Sequence, residues 1–96
     1  MNIIGLGKIN VPSAGTPVPF SATTRQCDEV IVTFDPADTT AAVFIKDASG
    51  NKIASMKTGD PAIKFCAEGS SPIDLTALFA DADGNDKGPL VGIVER

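Results

Sequence analysis

Histidine, tryptophan and tyrosine are missing from this 96-residue chain, and cysteine occurs only twice. Without histidine, a serine or cysteine nucleophile has no imidazole to take its proton, and no GxSxG elbow presents a serine. A zinc site is short of ligands too, because Cys27 and Cys66 stand far apart with no histidine to join them. Five phenylalanines are the whole aromatic supply, a poor platform for stacking bases or sugar rings. The eight Lys and Arg are scattered among twelve acids, for a net charge of −4. No basic run exists to neutralise a phosphate backbone, so nucleic acid is not an expected partner.

No apolar run approaches the ~20 residues of a membrane span. The opening MNIIGLGKIN lacks both the basic start and the long apolar stretch of a signal peptide, so synthesis in a cytosol is expected and a membrane partner is not. Gly5-Leu6-Gly7 is too short for a nucleotide fingerprint and opens no helix. Paired acids, Asp28 with Glu29 or Asp35 with Asp38, have the residue type of a glycosidase. Each suits a strand end or a turn as well, and no acid, base and nucleophile are assembled. The expectation is a non-enzymatic binding or structural module without a cofactor. In a cytosolic product the two cysteines are expected as reduced, partly buried thiols. A disulfide between adjacent strands, closing a long loop, is the alternative.

What the chain does contain is a series of short apolar runs separated by turn residues about every ten positions, the pattern of an all-β fold. Its length suits one domain over residues 1–96, with a radius of gyration of about 12–13 Å. The expected architecture is a small β-sandwich or jelly-roll-like barrel of about seven or eight short antiparallel strands. Candidate strands cover residues 3–11, 18–22, 29–34, 41–47, 52–58 and 62–66. Pro19 consigns the second to an edge or a bulge. In the third, Val30, Val32 and Phe34 share one face while Glu29, Ile31 and Thr33 share the other. DPAD, from Asp35, reads as a turn, and Gly50-Asn51 reads as a hairpin loop. Residues 73–82 are ambiguous; a single turn starting near Ser71 or Asp74, 3₁₀ in character, followed by a strand is preferred over a strand from Thr76 to Ala82 that pairs with the last apolar run, Pro89 to Glu95. Residues 1–14 read as an N-terminal arm or an edge strand.

DADGND, Asp81 to Asp86, is the one stretch with the appearance of an ion site. Asp81, Asp83 and Asn85 alternate as in the start of an EF-hand loop. The remainder departs from that motif, with Gly84 at the fourth place instead of the sixth and Gly92 where the twelfth position needs Glu. Gly, Asn and Asp are also the residues of a tight turn, and a hairpin tip between the last two strands is the preferred reading.

The order GTPVPFSA, CDEVIVTFDP, AAVFIKDASG, KTGDP and PIDLTALFADADGNDKGPLVGIVE resembles a family of small β-sandwich domains in tailed bacteriophages. The resemblance runs over roughly residues 15 to 95 and consists of short β signals in order; Phe79-Ala80 stands where a tyrosine is often seen, and the two cysteines also depart from the pattern. It implies a virion protein, made in the host cytoplasm and carried on the capsid surface. Its role would be a cement or decoration protein that binds the assembled shell and bridges subunits of the major capsid protein. The alternative is a receptor- or glycan-binding module of a tail or head fibre. A cement role also implies dimers or trimers, because capsid symmetry axes favour symmetric contacts. The apolar residues Ile3, Ile4 and Leu6 are the candidate capsid contacts, since the neighbouring glycines let this segment lie flat against another backbone. The plainer reading is that they form the first strand of the sandwich.

Overall fold

The run Gln26–Thr33 anchors the fold, and from Glu29 onward, past an irregularity between Cys27 and Glu29, its residues alternate. Val30 and Val32 are fully buried, whereas Ile31 between them faces out. β-Branched residues at period two suit a pleated strand with one buried face. A computed structural model describes residues 2–35 and 42–96 of the chain. Within these residues the protein is a β-sandwich of two antiparallel sheets.

The strands in chain order are β1 (Asn2–Lys8), β2 (Val18–Pro19), β3 (Gln26–Thr33), β4 (Val43–Lys46) and β5 (Lys52–Met56). They continue with β6 (Ile63–Cys66), β7 (Ile73–Asp74), β8 (Phe79–Ala82) and β9 (Leu90–Glu95), and a 3₁₀ turn, Leu75–Ala77, separates β7 from β8. One sheet has the order β1-β9-β3-β6, with β7 also pairing β3; the other has the order β2-β8-β4-β5. The nine strands fit the small sandwich expected; the one not anticipated is β7, two residues long and too short to show a period.

Several local expectations hold. The β4–β5 hairpin turns through Gly50 at φ 86°, and the Asp47 carboxylate accepts hydrogen bonds from the Ser49 and Asn51 amides. The Asp74 carboxylate caps the 3₁₀ turn by accepting from the Thr76 N–H. Pro19 sits in β2, an edge strand. The turn placed at DPAD runs into residues 36–41, outside the described residues, as does Asp38 of the second acid pair.

The reading of DADGND as a hairpin tip is overturned. β8 pairs with β2 and β4, whereas β9 pairs with β1 and β3. The segment between them therefore crosses from one sheet to the other. Turn residues specify a change of direction, and both a hairpin and a crossover need one.

The core lies between the sheets. Val30, Val32 and Ile93 meet Val43, Ile45 and Met56, with Leu75 and Leu78 closing one end, all in one buried apolar cluster. Each such side chain contributes about 1.5–3 kcal/mol when fully buried. The Cα radius of gyration is 12.5 Å.

Candidate interaction surface

Register decides which residues share a face. β1 pairs Ile3 with Val94, Ile4 with Ile93 and Gly5 with Gly92. β9 passes the alignment on, Val94 to Glu29, Ile93 to Val30 and Gly92 to Ile31. β6 then pairs Cys66 with Glu29 and Lys64 with Ile31. Residues directly opposite one another project to the same side of a sheet. Since Val30 and Ile93 are buried in the core, the alternate rows face outward. One outward row is Ile3, Val94, Glu29 and Cys66. The next is Gly5, Gly92, Ile31 and Lys64, and a third pairs Lys8 and Thr33 with Leu90.

The result is an apolar strip on the outer face of the sheet, in which Val94, at 8% exposed, is largely covered by its neighbours. Ile3 is 78% exposed and Ile31 37%. Between them, Gly5 and Gly92 leave the backbone bare. A Cβ on Gly5 would meet nothing within 4 Å, and one on Gly92 would touch only the Ile4 carbonyl oxygen, at 3.9 Å. Neither glycine has a positive φ, so backbone strain does not require them. Their effect is on relief: a shallow notch beside a projecting isoleucine.

Ion pairs border the strip. Lys64 Nζ lies 3.0 Å from Glu29 Oε1, and the hydrogen bond to that carboxylate raises the pKa of the Lys64 ammonium. Arg96 pairs with Asp28 at 2.7 Å and donates to the Ser70 and Gly69 carbonyls. The acids Asp28 and Glu29, paired in the sequence, thus each hold a cation at this rim. A polar rim around an apolar centre is the usual anatomy of a protein contact surface.

The edge beside this strip is the least guarded of four. Natural sheets blunt their edges with proline, lysine or bulges. β2 carries Pro19, β6 carries Lys64, and β5 carries Lys52 next to a bulge. β1 is protected only at its far end, where a bulge falls between Gly5 and Gly7 and Lys8 follows. Gly7 supports that bulge at φ 74°, and residues 2–5 stay flat and uncharged.

Of the three residues singled out in the sequence, the structure brings one to the surface. Ile3 is open to solvent; Ile4 and Leu6 turn inward and pack against the core. Ile4 and Leu6 are thus half-buried in a folded β1, and residues 2–8 form an edge strand rather than a free arm. Val94, Leu90, Ile31 and the two glycines were not singled out. The signal for Ile31 was present in the alternation of β3, which places an isoleucine on the polar side.

DADGND has a different task. Asp81 is 2% exposed. Its Oδ2 accepts from Lys46 Nζ at 2.6 Å, and its Oδ1 accepts from the Gly15 N–H at 3.0 Å and the Ala82 N–H at 2.8 Å. Asn85 Oδ1 accepts from the Ala14 N–H, and the Asp86 N–H donates to the Val11 carbonyl. The crossover thus clamps the PSAGTP loop onto the second sheet. Burial alone would push the Asp81 carboxyl up. The Lys46 hydrogen bond, the Ala82 and Gly15 amides and the lysine charge outweigh it, and the net direction is down. Among the described residues, no three His, Cys, Asp or Glu side chains cluster as a metal site would require.

The cysteines lie on opposite sides of one sheet. Cys27 is buried toward the core, while Cys66 stands in the outward row, and both are free thiols. The disulfide alternative therefore falls, and "partly buried" describes neither thiol. Burial pushes the Cys27 thiol pKa up, which makes it a poor nucleophile.

Comparison with protein-family models, with curated proteins and with solved structures returned no match to this chain.

Proposed function

We propose that this chain is a structural protein of a phage virion, a cement or decoration protein that binds the outside of an assembled capsid and bridges subunits of the major capsid protein. The observation that carries the reading is the outward strip of Ile3, Gly5, Gly92, Val94 and Ile31, rimmed by the Glu29–Lys64 and Asp28–Arg96 pairs. The phage setting comes from the order of sequence motifs; the strip supplies the means of attachment.

Four strands about 4.8 Å apart and three outward rows about 7 Å apart give a face of roughly 400 Å². Glu29, Lys64, Lys8 and Thr33 lie within that area, so its apolar part is smaller than the whole face. Such a relief fits another protein surface better than a small ligand, which needs a cleft. It is also about half of the ~800 Å² per partner in a standard stable interface. Single copies would attach weakly, and occupancy would come from many equivalent sites and from contacts between copies. The shell protein and further copies of this chain are the partners in this reading; nucleic acid, membrane and cofactors have no part in it.

Purified particles test it. The chain should be present in a fixed ratio to the major capsid protein, and particles lacking it should lose genome at a lower temperature. Its absence from purified particles, with full recovery in the infected-cell lysate, would refute the proposal.

A further inference from the structure

We infer that β1 pairs with β1 of a second copy, antiparallel about a two-fold axis at Ile4, so that each Ile3 fills the notch over the other copy's Gly5. The inference goes beyond capsid binding and does not need a shell, since it concerns the protein by itself.

The geometry follows from one strand. Ile3 and Gly5 lie two residues apart on β1 and share the outward face. One is a projecting side chain, 78% exposed; the other is a position where an added Cβ meets nothing within 4 Å. In an antiparallel pair centred on residue 4, residue 3 of one strand lies directly opposite residue 5 of the other. Knob and hole therefore meet twice, as the self-complementary interface of a two-fold dimer requires. Aromatic side chains laid over edge glycines from the neighbouring strand fix register in sheets, and the exposed Ile3 offers the same kind of apolar cover.

The pairing is also compatible with charge and with the bulge. Residues 2–6 carry no charge, and the bulge between Gly5 and Gly7 ends the flat segment at the limit of the paired stretch. The two Lys8 side chains lie four residues from the axis on either side, about 27 Å apart at strand rise. That separation exceeds the ~8 Å screening length at physiological salt, so the lysines do not oppose association.

Size sets the strength. Five residues of edge per copy extend about 17 Å and would cover about 600 Å² in total, half of the ~1,200 Å² at which stable interfaces begin. The dimer is therefore weak in dilute solution and concentration-dependent, and it becomes persistent where copies are held side by side on a surface. It joins two five-stranded sheets edge to edge and doubles the width of the outward face.

Cysteine cross-linking reads the register directly. In a Cys66→Ser background, one protein carries Ile3→Cys and a second carries Gly5→Cys. Both positions point away from the core, and neither change disturbs packing. Under mild oxidation, the mixture should yield a disulfide-linked dimer several-fold faster than either protein alone. Opposed positions in an antiparallel pair place Cβ atoms about 4.5–5.5 Å apart, whereas two copies of position 3 are offset by two residues, beyond bridging distance. Equal cross-linking in the mixture and in either single variant would overturn the register, and no cross-linking in any sample would overturn the pairing. Sedimentation of the unmodified protein should show an average mass that rises with concentration toward the millimolar range, and Gly5→Val, which fills the notch, should abolish the rise. An unmodified protein that stays monomeric over that whole range would also overturn the pairing.

Discussion

On the outer face of the β2-β8-β4-β5 sheet, the Phe44 ring lies under Lys52, whose Nζ is 4.0 Å from the ring centroid, and Asp81 beside it is roofed by Lys46 and the loop at Gly15. On the outer face of the β1-β9-β3-β6 sheet, Ile3 and Ile31 meet solvent and two glycines expose bare backbone. Both faces have the same origin, a strand alternation that sends every second residue outward. One is largely finished with the protein's own polar groups, including a buried ion pair, and leaves Ile53 at its β5 edge 52% exposed. The other is left apolar and shallow, with its charges confined to the rim. An exposed apolar strip lowers solubility and confers no stability on the monomer; under the proposed function it is the surface that meets another protein.

The two faces should respond differently to substitution. The largest effect is expected at Asp81→Ala, which leaves the Lys46 ammonium partly buried without its carboxylate and strips the Gly15 and Ala82 amides of their acceptor. Breaking a buried pair from one side costs about 3–5 kcal/mol; because Lys46 retains some exposure, a loss near 3 kcal/mol is expected in urea denaturation. A loss under about 0.5 kcal/mol, the level of an ordinary surface change, would show that the clamp contributes little.

Acid should act through the same group. The folded pKa of Asp81 is depressed, as is that of Asp74, whose carboxylate accepts from Thr76. Their contribution to stability is then present above the unfolded carboxyl pKa of about 3.9 and is lost as pH falls through the lower folded values. Unfolding midpoints measured from pH 6 downward should hold until about pH 4 and then drop. Asp81→Asn should flatten that drop; an unchanged slope would show that other carboxylates govern acid sensitivity.

Smaller effects complete the comparison. Lys52→Ala should cost about 0.5–1 kcal/mol, the value of an exposed cation–π contact, measurable in the same denaturation series. Ile31→Asp on the open face, at a two-thirds buried position of an interior strand, should cost about 1 kcal/mol, the range of strand propensity, and leave the monomer folded. Calcium should have the least effect: thermal midpoints with calcium and with chelator should agree, because a ligand that binds the folded state raises the midpoint and Asp81 is already saturated by its own chain.

Much of this was legible in the residues, for reasons that differ between elements. Val30, Val32 and Ile31 alternate over a full strand, and Gly50-Asn51 has the residues of a tight hairpin loop, so β3 and the β4–β5 hairpin could be read locally. The 3₁₀ turn at Leu75 was legible because Asp74 is a good cap. The partner of β8 was not. Asp, Asn and Gly in DADGND announce a turn, yet whether the next strand stays in its sheet or crosses depends on packing far away in sequence. The surface was half visible. Alternation separates Ile3 from Ile4 and Leu6 once β1 is known to be a strand, whereas the neighbours completing the strip, Val94 and Gly92, reach it only through register between distant strands.

The most direct measurement is binding of the purified protein to particles from which it has been stripped, comparing Ile31→Asp on the open face with Lys52→Ala on the opposite, more polar one. Both variants should fold. Ile31→Asp should bind at least tenfold more weakly than the unmodified protein, because it places a charge where the contact is dry, and Lys52→Ala should bind as the unmodified protein does. Equal binding by all three, or a loss confined to Lys52→Ala, would contradict the assignment of the open face as the surface that meets the shell.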